Sequence, residues 1–356
     1  MTIADLVGRA RRDVEEGLVP SCQLAVARHG ELIAFATLGA ATKEDRYTIF
    51  SVTKALVASA VWRLVGDGLL RYEQRVSELV PEFATNGKEH VTVEQLLLHT
   101  SGFARAPMRP EEGATSTGRV ARFATWRIDH EPGTETEYHP TAAHWVLAEL
   151  VERATGADYR PFVNETAGDA LTLGHAEALD VVIVGDPTTI GKVDPGTGET
   201  FDVPEIEGDL LLRYNEPEVR AAGVPGAGAT GTAADVALFF QSLLRNPDGR
   251  WDPAVLTDAT GVVRNTYPDP YTRVSASRTR GLVLAGDDGF ESLRGFGPGV
   301  SAKAFASPGL GGQTAWADPA SGLSFAFLTN GIDADLVRAF RRGISLSKLA
   351  AELATG

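Results

Sequence analysis

At 356 residues the chain is longer than one simple core needs, and 43% hydrophobic with 22% charged residues is ordinary for a globular protein, so one large composite domain or two domains are expected. The formal net charge of −14 sets up a field that repels phosphate backbones, which argues against nucleic acid and against an anionic membrane surface as partners. A single cysteine, Cys22, excludes an intramolecular disulfide and a C-x-x-C site.

The N-terminal stretch MTIADLVGRARRDVEEGLVP reads as an amphipathic helix with Ile3, Leu6 and Val7 on its apolar side. Its early charges, with no long apolar core and no A-x-A site, do not fit a secretory signal. No uncharged run of about 18 apolar residues occurs, so no membrane span is expected and the cytoplasm is the default location. QLAVARHG and ELIAFATLG are two strand-like runs joined by His29-Gly30, a hairpin signal, and Cys22 at the head of the first is expected to be an inert core thiol. The apolar run TIFSVTKALVASAVWRLVGDG, Thr48 to Gly68, reads as a helix that stops near its last two glycines.

Residues 70 to 222 read as helical patches with Pro and Gly breaks. TVEQLLLHTSG is a short helix capped by Thr92. HPTAAHWVLAELVERATG is longer, with Pro140 in its first turn, Gly156 at its C-cap and Ala143, Leu147, Leu150 and Ala154 as its inward stripe. Residues 186 to 210, rich in Pro, Gly and acid, read as a surface excursion. TAADVALFFQSLLRN is a further helix with Thr232 and Asp235 as a capping pair. GGQTAWADPASGLSFAFLTNG reads as two strands around an Asp-Pro-x-x-Gly turn, and DLVRAFRRGISLSKLAAEL closes the chain as an amphipathic helix. This order predicts an α+β fold. Residues 1–60 and 225–356 form one discontinuous sheet region, 61–224 form a mostly helical insert, and the active site lies in the cleft between them.

The chemistry is concentrated at Ser51-Val52-Thr53-Lys54. A serine hydroxyl needs a neighbouring base to become a nucleophile, and positions i and i+3 of a helix share a face, so Ser51 and Lys54 place a hydroxyl beside an amine. The lysine serves as base only when neutral, which burial and nearby positive charge favour. The helix start also offers free N–H groups, and that of Ser51 is placed to hold an oxyanion. The same spacing recurs at Ser345-Leu346-Ser347-Lys348, which reads as an exposed helical face. Companion segments follow Ser51 only: LLLHTSGF (Leu96 to Phe103), EPGTETEYHP with Tyr138 just ahead of a helix, and FASPGLGGQTAWADPASGLSFAFLTN (Phe305 to Asn330).

In order and spacing these segments resemble the class C β-lactamase-like serine hydrolases, a group that includes family VIII carboxylesterases, some D-amino peptidases and certain acyltransferases. The resemblance runs from the first helix to the last and implies the β-lactamase/transpeptidase-like fold, with an antiparallel sheet flanked by the terminal helices. It implies Ser51 as the acylated nucleophile and Lys54 as its hydrogen-bonded base partner. Tyr138, matching the Tyr of the family's Y-x-N motif, becomes the proton shuttle. The second oxyanion donor is then the N–H of Leu310, with Gly309, Gly311 and Gly312 letting backbone approach the acyl group.

Two positions depart from the family pattern. The Asn of Y-x-N is Pro140, which has no side-chain amide for a substrate amide. The third motif, K-T-G or H-x-G in relatives, is Ser307-Pro308-Gly309 and supplies no cation for a substrate carboxylate. Ser307 is left as a hydrogen-bond donor toward Tyr138 or substrate. Pro140, Ser307 and Gly309 are thus the expected substrate-binding positions, and both departures favour a small-molecule ester over β-lactams or peptides. An acyltransferase on the same acyl-enzyme, a catalytically inactive binding relative, and a β-lactamase or D-amino peptidase are the alternatives. No cofactor or metal is expected: His139 and His144 do not share a helical face, and H-E-x-x-H and G-x-S-x-G are absent. GAGATG (Gly226 to Gly231) lacks the preceding strand that a dinucleotide site requires, and His99 reads as a turn-stabilising residue.

Overall fold

The computed structural model describes residues 1–175, 177–190 and 207–355. Strands β1 (Ser21–Arg28) and β2 (Glu31–Gly39) pair antiparallel through His29 and Gly30, whose φ of 56° and 88° supply the left-handed pair that a two-residue hairpin turn demands. Four more strands come from the last quarter of the chain: β3 (Val283–Leu284), β4 (Phe305–Ala306), β5 (Thr314–Asp318) and β6 (Leu323–Thr329). The sheet order is β2–β1–β6–β5–β4–β3, antiparallel throughout, so the two chain ends meet where β1 pairs β6.

Five helices frame this sheet and its insert: α1 (Ile3–Glu15), α2 (Thr53–Gly66), α3 (Ala142–Thr155), α4 (Ala233–Arg245) and α5 (Leu336–Ala351). Along β1 the side chains alternate between two cores. Cys22, Leu24 and Val26 join Trp316, Phe325 and Phe327 beneath α1 and α5, while Ala25 and Ala27 join Ala315, Ala317 and Ala326 on the α2 and α4 side. The alanines leave room for α4, whose Gln241 amide donates to the carbonyls of Ala27 and Gly322. With both faces covered, β1 and β6 read as continuous apolar runs. Burial also pushes the Cys22 thiol up to about 12, in keeping with an inert role.

The caps follow the local sequence. Thr92 closes a capping box with Gln95 at the helix Val93–Leu97, Thr232 does so with Asp235 at α4, and Gly156 ends α3 with a φ of 73°. Three details differ from the sequence reading. α2 begins at Thr53, and Ser51 sits in the 3₁₀ turn Phe50–Val52 ahead of it. α3 begins at Ala142, so Pro140 precedes the N-cap Thr141 instead of occupying the first turn; its carbonyl is needed elsewhere. Every residue from Ala142 to Val151 is buried, a wider face than one stripe, because α2 and several shorter helices pack around α3. Residues 191–206 of the acidic excursion lie outside the described residues. Among the described residues no helix is long and apolar enough to cross a membrane.

Candidate active site

Ser51 is presented by a strained turn. Phe50, directly before it, has a φ of 43°, a left-handed conformation that costs an aromatic residue roughly 1–2 kcal/mol. Burial of its ring, which meets Tyr214 edge-on at 5.3 Å, holds the turn in place. Ser51 Oγ does not cap α2, which has no side-chain cap. It accepts instead from Tyr138 Oη at 2.8 Å and from Lys54 Nζ at 3.1 Å.

Lys54 is 3% exposed, and its ammonium makes two further bonds, to the carbonyl oxygens of Pro140 and Gly226, each at 2.7 Å. This arrangement sets its chemistry. Two N–H groups are committed to backbone carbonyls, so the remaining position faces Ser51. As an ammonium, Lys54 donates there; as a neutral amine, it turns its lone pair to the serine proton. Burial lowers the Lys54 pKa, with the Arg278 charge acting the same way and Tyr138 opposing. Pro140 thus contributes its carbonyl where the family pattern has a side-chain amide. The glycine-rich GAGATG loop belongs to the site: a Cβ at Gly226 would lie 2.7 Å from the Pro140 oxygen, and Ala229 N–H donates to Thr53 in the first turn of α2.

Tyr138 is carried by a loop clamped by histidines. His99, itself at a φ of 59°, accepts the His139 N–H on Nδ1 at 3.0 Å, and its ring lies 4.9 Å from that of Tyr138. This matches a turn-stabilising role. His139 Nδ1 faces the Glu137 carbonyl at 2.7 Å and must donate there, which leaves Nε2 to accept from Ser101 Oγ at 2.9 Å. Burial pushes His99 and His144 well below the usual histidine value and His139 down to about 4, so all three are neutral at pH 7. Among the described residues no group of three or more His, Cys, Asp or Glu is placed to hold a metal. Burial works against ionising Tyr138, but the Lys54 charge, the hydrogen bond with Ser51 and the Arg278 charge outweigh it and hold the phenol below its usual value.

The third segment closes the site from β4. Ser307 Oγ donates to the Ser51 carbonyl oxygen at 2.9 Å, pinning the strand end to the Ser51 backbone. Gly309 lets this approach happen, since a Cβ there would stand 2.8 Å from the Ile49 carbonyl oxygen. Among the described residues the N–H groups of Ser51 and Leu310 have no backbone acceptor. A cavity of about 470 Å³ runs past Gly309 and Leu310, walled mainly by Leu293, Leu336, Phe340 and Ile344. The Gly226 loop, rejected as a dinucleotide site and read as lying near the active-site rim, supplies a carbonyl to Lys54 itself. Sequence reasoning missed Arg278, which carries no local signal, and whose guanidinium carbon lies 5.4 Å from the Tyr138 ring centre.

Comparison with known proteins bears on the family and the fold. The family model described as Beta-lactamase matches residues 7–344. The chain is 29% identical to esterase EstB of Burkholderia gladioli over 276 residues, covering 66% of this chain and 67% of the relative. It is 23% identical to the esterase/beta-lactamase LipL of Mycobacterium tuberculosis over 310 residues, covering 81% of this chain and 70% of the relative. In three dimensions it is similar to a penicillin-binding protein homologue from Caulobacter crescentus, with a TM-score of 0.79, 25% identity, and 99% and 97% of the two chains covered. The fold is therefore the β-lactamase/transpeptidase-like α+β fold.

Proposed function

The chain belongs to the beta-lactamase family, and from that membership we propose that it is a serine esterase that hydrolyses small-molecule esters through an acyl-enzyme on Ser51. The observation that carries this reading is the convergence of Tyr138 Oη and Lys54 Nζ on Ser51 Oγ at 2.8 and 3.1 Å. With Tyr138 as phenolate, or Lys54 as neutral amine, the contact reverses and Ser51 donates its proton as Oγ attacks the ester carbonyl. The N–H groups of Ser51 and Leu310 receive the oxyanion. The proton passes to the departing alkoxide, leaving the acyl group on Ser51. Water then attacks that carbonyl, gives its proton to the same base, and Ser51 leaves with a proton regained.

Two features favour an ester over a lactam or peptide. Pro140 offers no amide to hold a substrate amide, and the Ser307-Pro308-Gly309 triplet carries no cation. EstB, named as an esterase, points the same way, while LipL is named as both esterase and beta-lactamase. The cavity beside Leu310 offers space for an apolar part of the ester. The test is intact mass after brief mixing with a p-nitrophenyl short-chain ester, read alongside nitrophenol release, for wild type and Ser51→Ala. An acyl adduct or sustained release confined to wild type supports the reading; equal release by both proteins overturns it. Repeating the assay with added alcohols or amines separates hydrolysis from acyl transfer.

A further inference from the structure

Three arginines on the segments around Arg278 are paired. Arg280 bonds Glu94 and Asp258, Arg264 also reaches Asp258, and Arg294 chelates Asp288. Arg278, half-buried between them, has no carboxylate within ion-pair distance and no hydrogen-bond acceptor for its side chain among the described residues. Its backbone is nevertheless held firmly. Arg278 N–H donates to the Asn265 carbonyl at 3.1 Å, and its own carbonyl accepts from Arg264 and Asn265. The Asn265 side chain in turn donates to the Leu98 carbonyl and to Thr136 Oγ, on the two segments that carry His99 and Tyr138. Ser277, immediately before Arg278, adopts a φ of 48°, so the chain accepts local strain at this point.

A guanidinium offers five donors in a flat fork and loses its charge under no ordinary condition. Here the fork stands across one phenol ring from Ser51 Oγ, unpaired, in a protein whose overall charge of −14 repels anions at a distance. A cation beside a reaction centre, with its donors uncommitted, is free to take a carboxylate by charge-assisted hydrogen bonds. We propose that Arg278 binds a carboxylate of the substrate, so that the preferred esters carry a carboxylate a few carbons from the reacting carbonyl. This rests on the reading of Ser51 as an esterase nucleophile.

The test compares isosteric ester pairs in wild type, Arg278→Gln and Arg278→Lys, with Ser51→Ala as the blank. Mono-p-nitrophenyl glutarate against p-nitrophenyl pentanoate places the carboxylate on the acyl side. The 3-carboxyphenyl ester of pentanoic acid against its 3-acetylphenyl ester places it on the alcohol side. The expected result is a higher kcat/KM for the carboxylated member of one pair in wild type, identifying the side. That preference should fall at least tenfold in Arg278→Gln and be partly kept in Arg278→Lys. Glutarate should inhibit pentanoate ester hydrolysis competitively in wild type, a readout that needs no variant to fold. No preference and no inhibition overturn the proposal. So does a loss in Arg278→Gln that is equal for charged and neutral esters, which would make Arg278 only an electrostatic support for Tyr138. Absence of any Ser51-dependent turnover would instead defeat the esterase reading itself.

Discussion

Two segments of the chain, Ser51–Lys54 and Ser345–Lys348, place a serine and a lysine three residues apart at a helix. In the first, the lysine is buried, gives two N–H groups to carbonyls from distant loops and has one position left, facing Ser51. In the second, the Lys348 side chain is 54% exposed and stands 4.0 Å from Glu352 in water. The intervening Ser347 is buried, contrary to the expectation of a wholly exposed face, because its hydroxyl accepts the Gly297 N–H at 2.8 Å. Spacing brings hydroxyl and amine to one face in both segments. Removal from water and commitment of the other donors occur in only one, and those are what turn an ammonium into a candidate base.

The sharpest way to break this contrast is substitution at both places. Ser51→Ala should lower ester hydrolysis about 10⁵-fold or more, to background, while Lys348→Ala should stay within about twofold of wild type in the same nitrophenol assay. Comparable losses from the two would mean that the surroundings do not distinguish them. Next, Lys54→Ala and Tyr138→Phe should each cost about 10²–10⁴-fold in kcat, and the double variant little more, since both act on one proton. In wild type, kcat/KM should fall as pH drops through a limb below the ordinary lysine and tyrosine values of about 10. A limb at 10 or above would contradict the lowered values.

A smaller effect is expected at the backbone. Gly309→Ala pushes a methyl against the Ile49 carbonyl oxygen and shifts the Leu310 N–H, so kcat should drop roughly 10–10²-fold with the fold intact by circular dichroism. Unchanged kcat would remove Leu310 from the oxyanion site. The last prediction concerns stability. His99, His139 and His144 are held below their unfolded value, so the unfolded chain binds more protons as pH falls from about 6.5 toward the value of about 4 at His139. Stability should therefore be full above pH 7 and fall by about 1.4 kcal/mol per pH unit for each histidine below 6. Urea unfolding at pH 7, 6 and 5 measures that slope, and a flat profile would mean that the histidine cluster protonates in the folded state.

Much of this was legible in the sequence. The His29-Gly30 hairpin, the Thr92 and Thr232 capping boxes, the Gly156 stop and the C-terminal strand pair depend on neighbours within about four residues, and local chemistry sets them. The motif order also brought Ser51, Lys54 and Tyr138 to notice, and with them the family and fold. The helix α3 was legible as a helix but not as an element buried on nearly all sides, because burial is decided by what packs around it.

What the tertiary structure alone decided is how those residues are tuned. The carbonyls that hold Lys54 come from 86 and 172 positions away, and Ser307 reaches the Ser51 carbonyl across 256. Arg278 reaches Tyr138 from a polar stretch with no periodicity to mark it. Such contacts are made by backbone oxygens that every residue type possesses, and by charges whose effect depends on how much water remains around them. Neither leaves a local pattern in the chain, so their consequences for pKa and for substrate charge arise only once the sheet and the inserted helices have closed around Ser51.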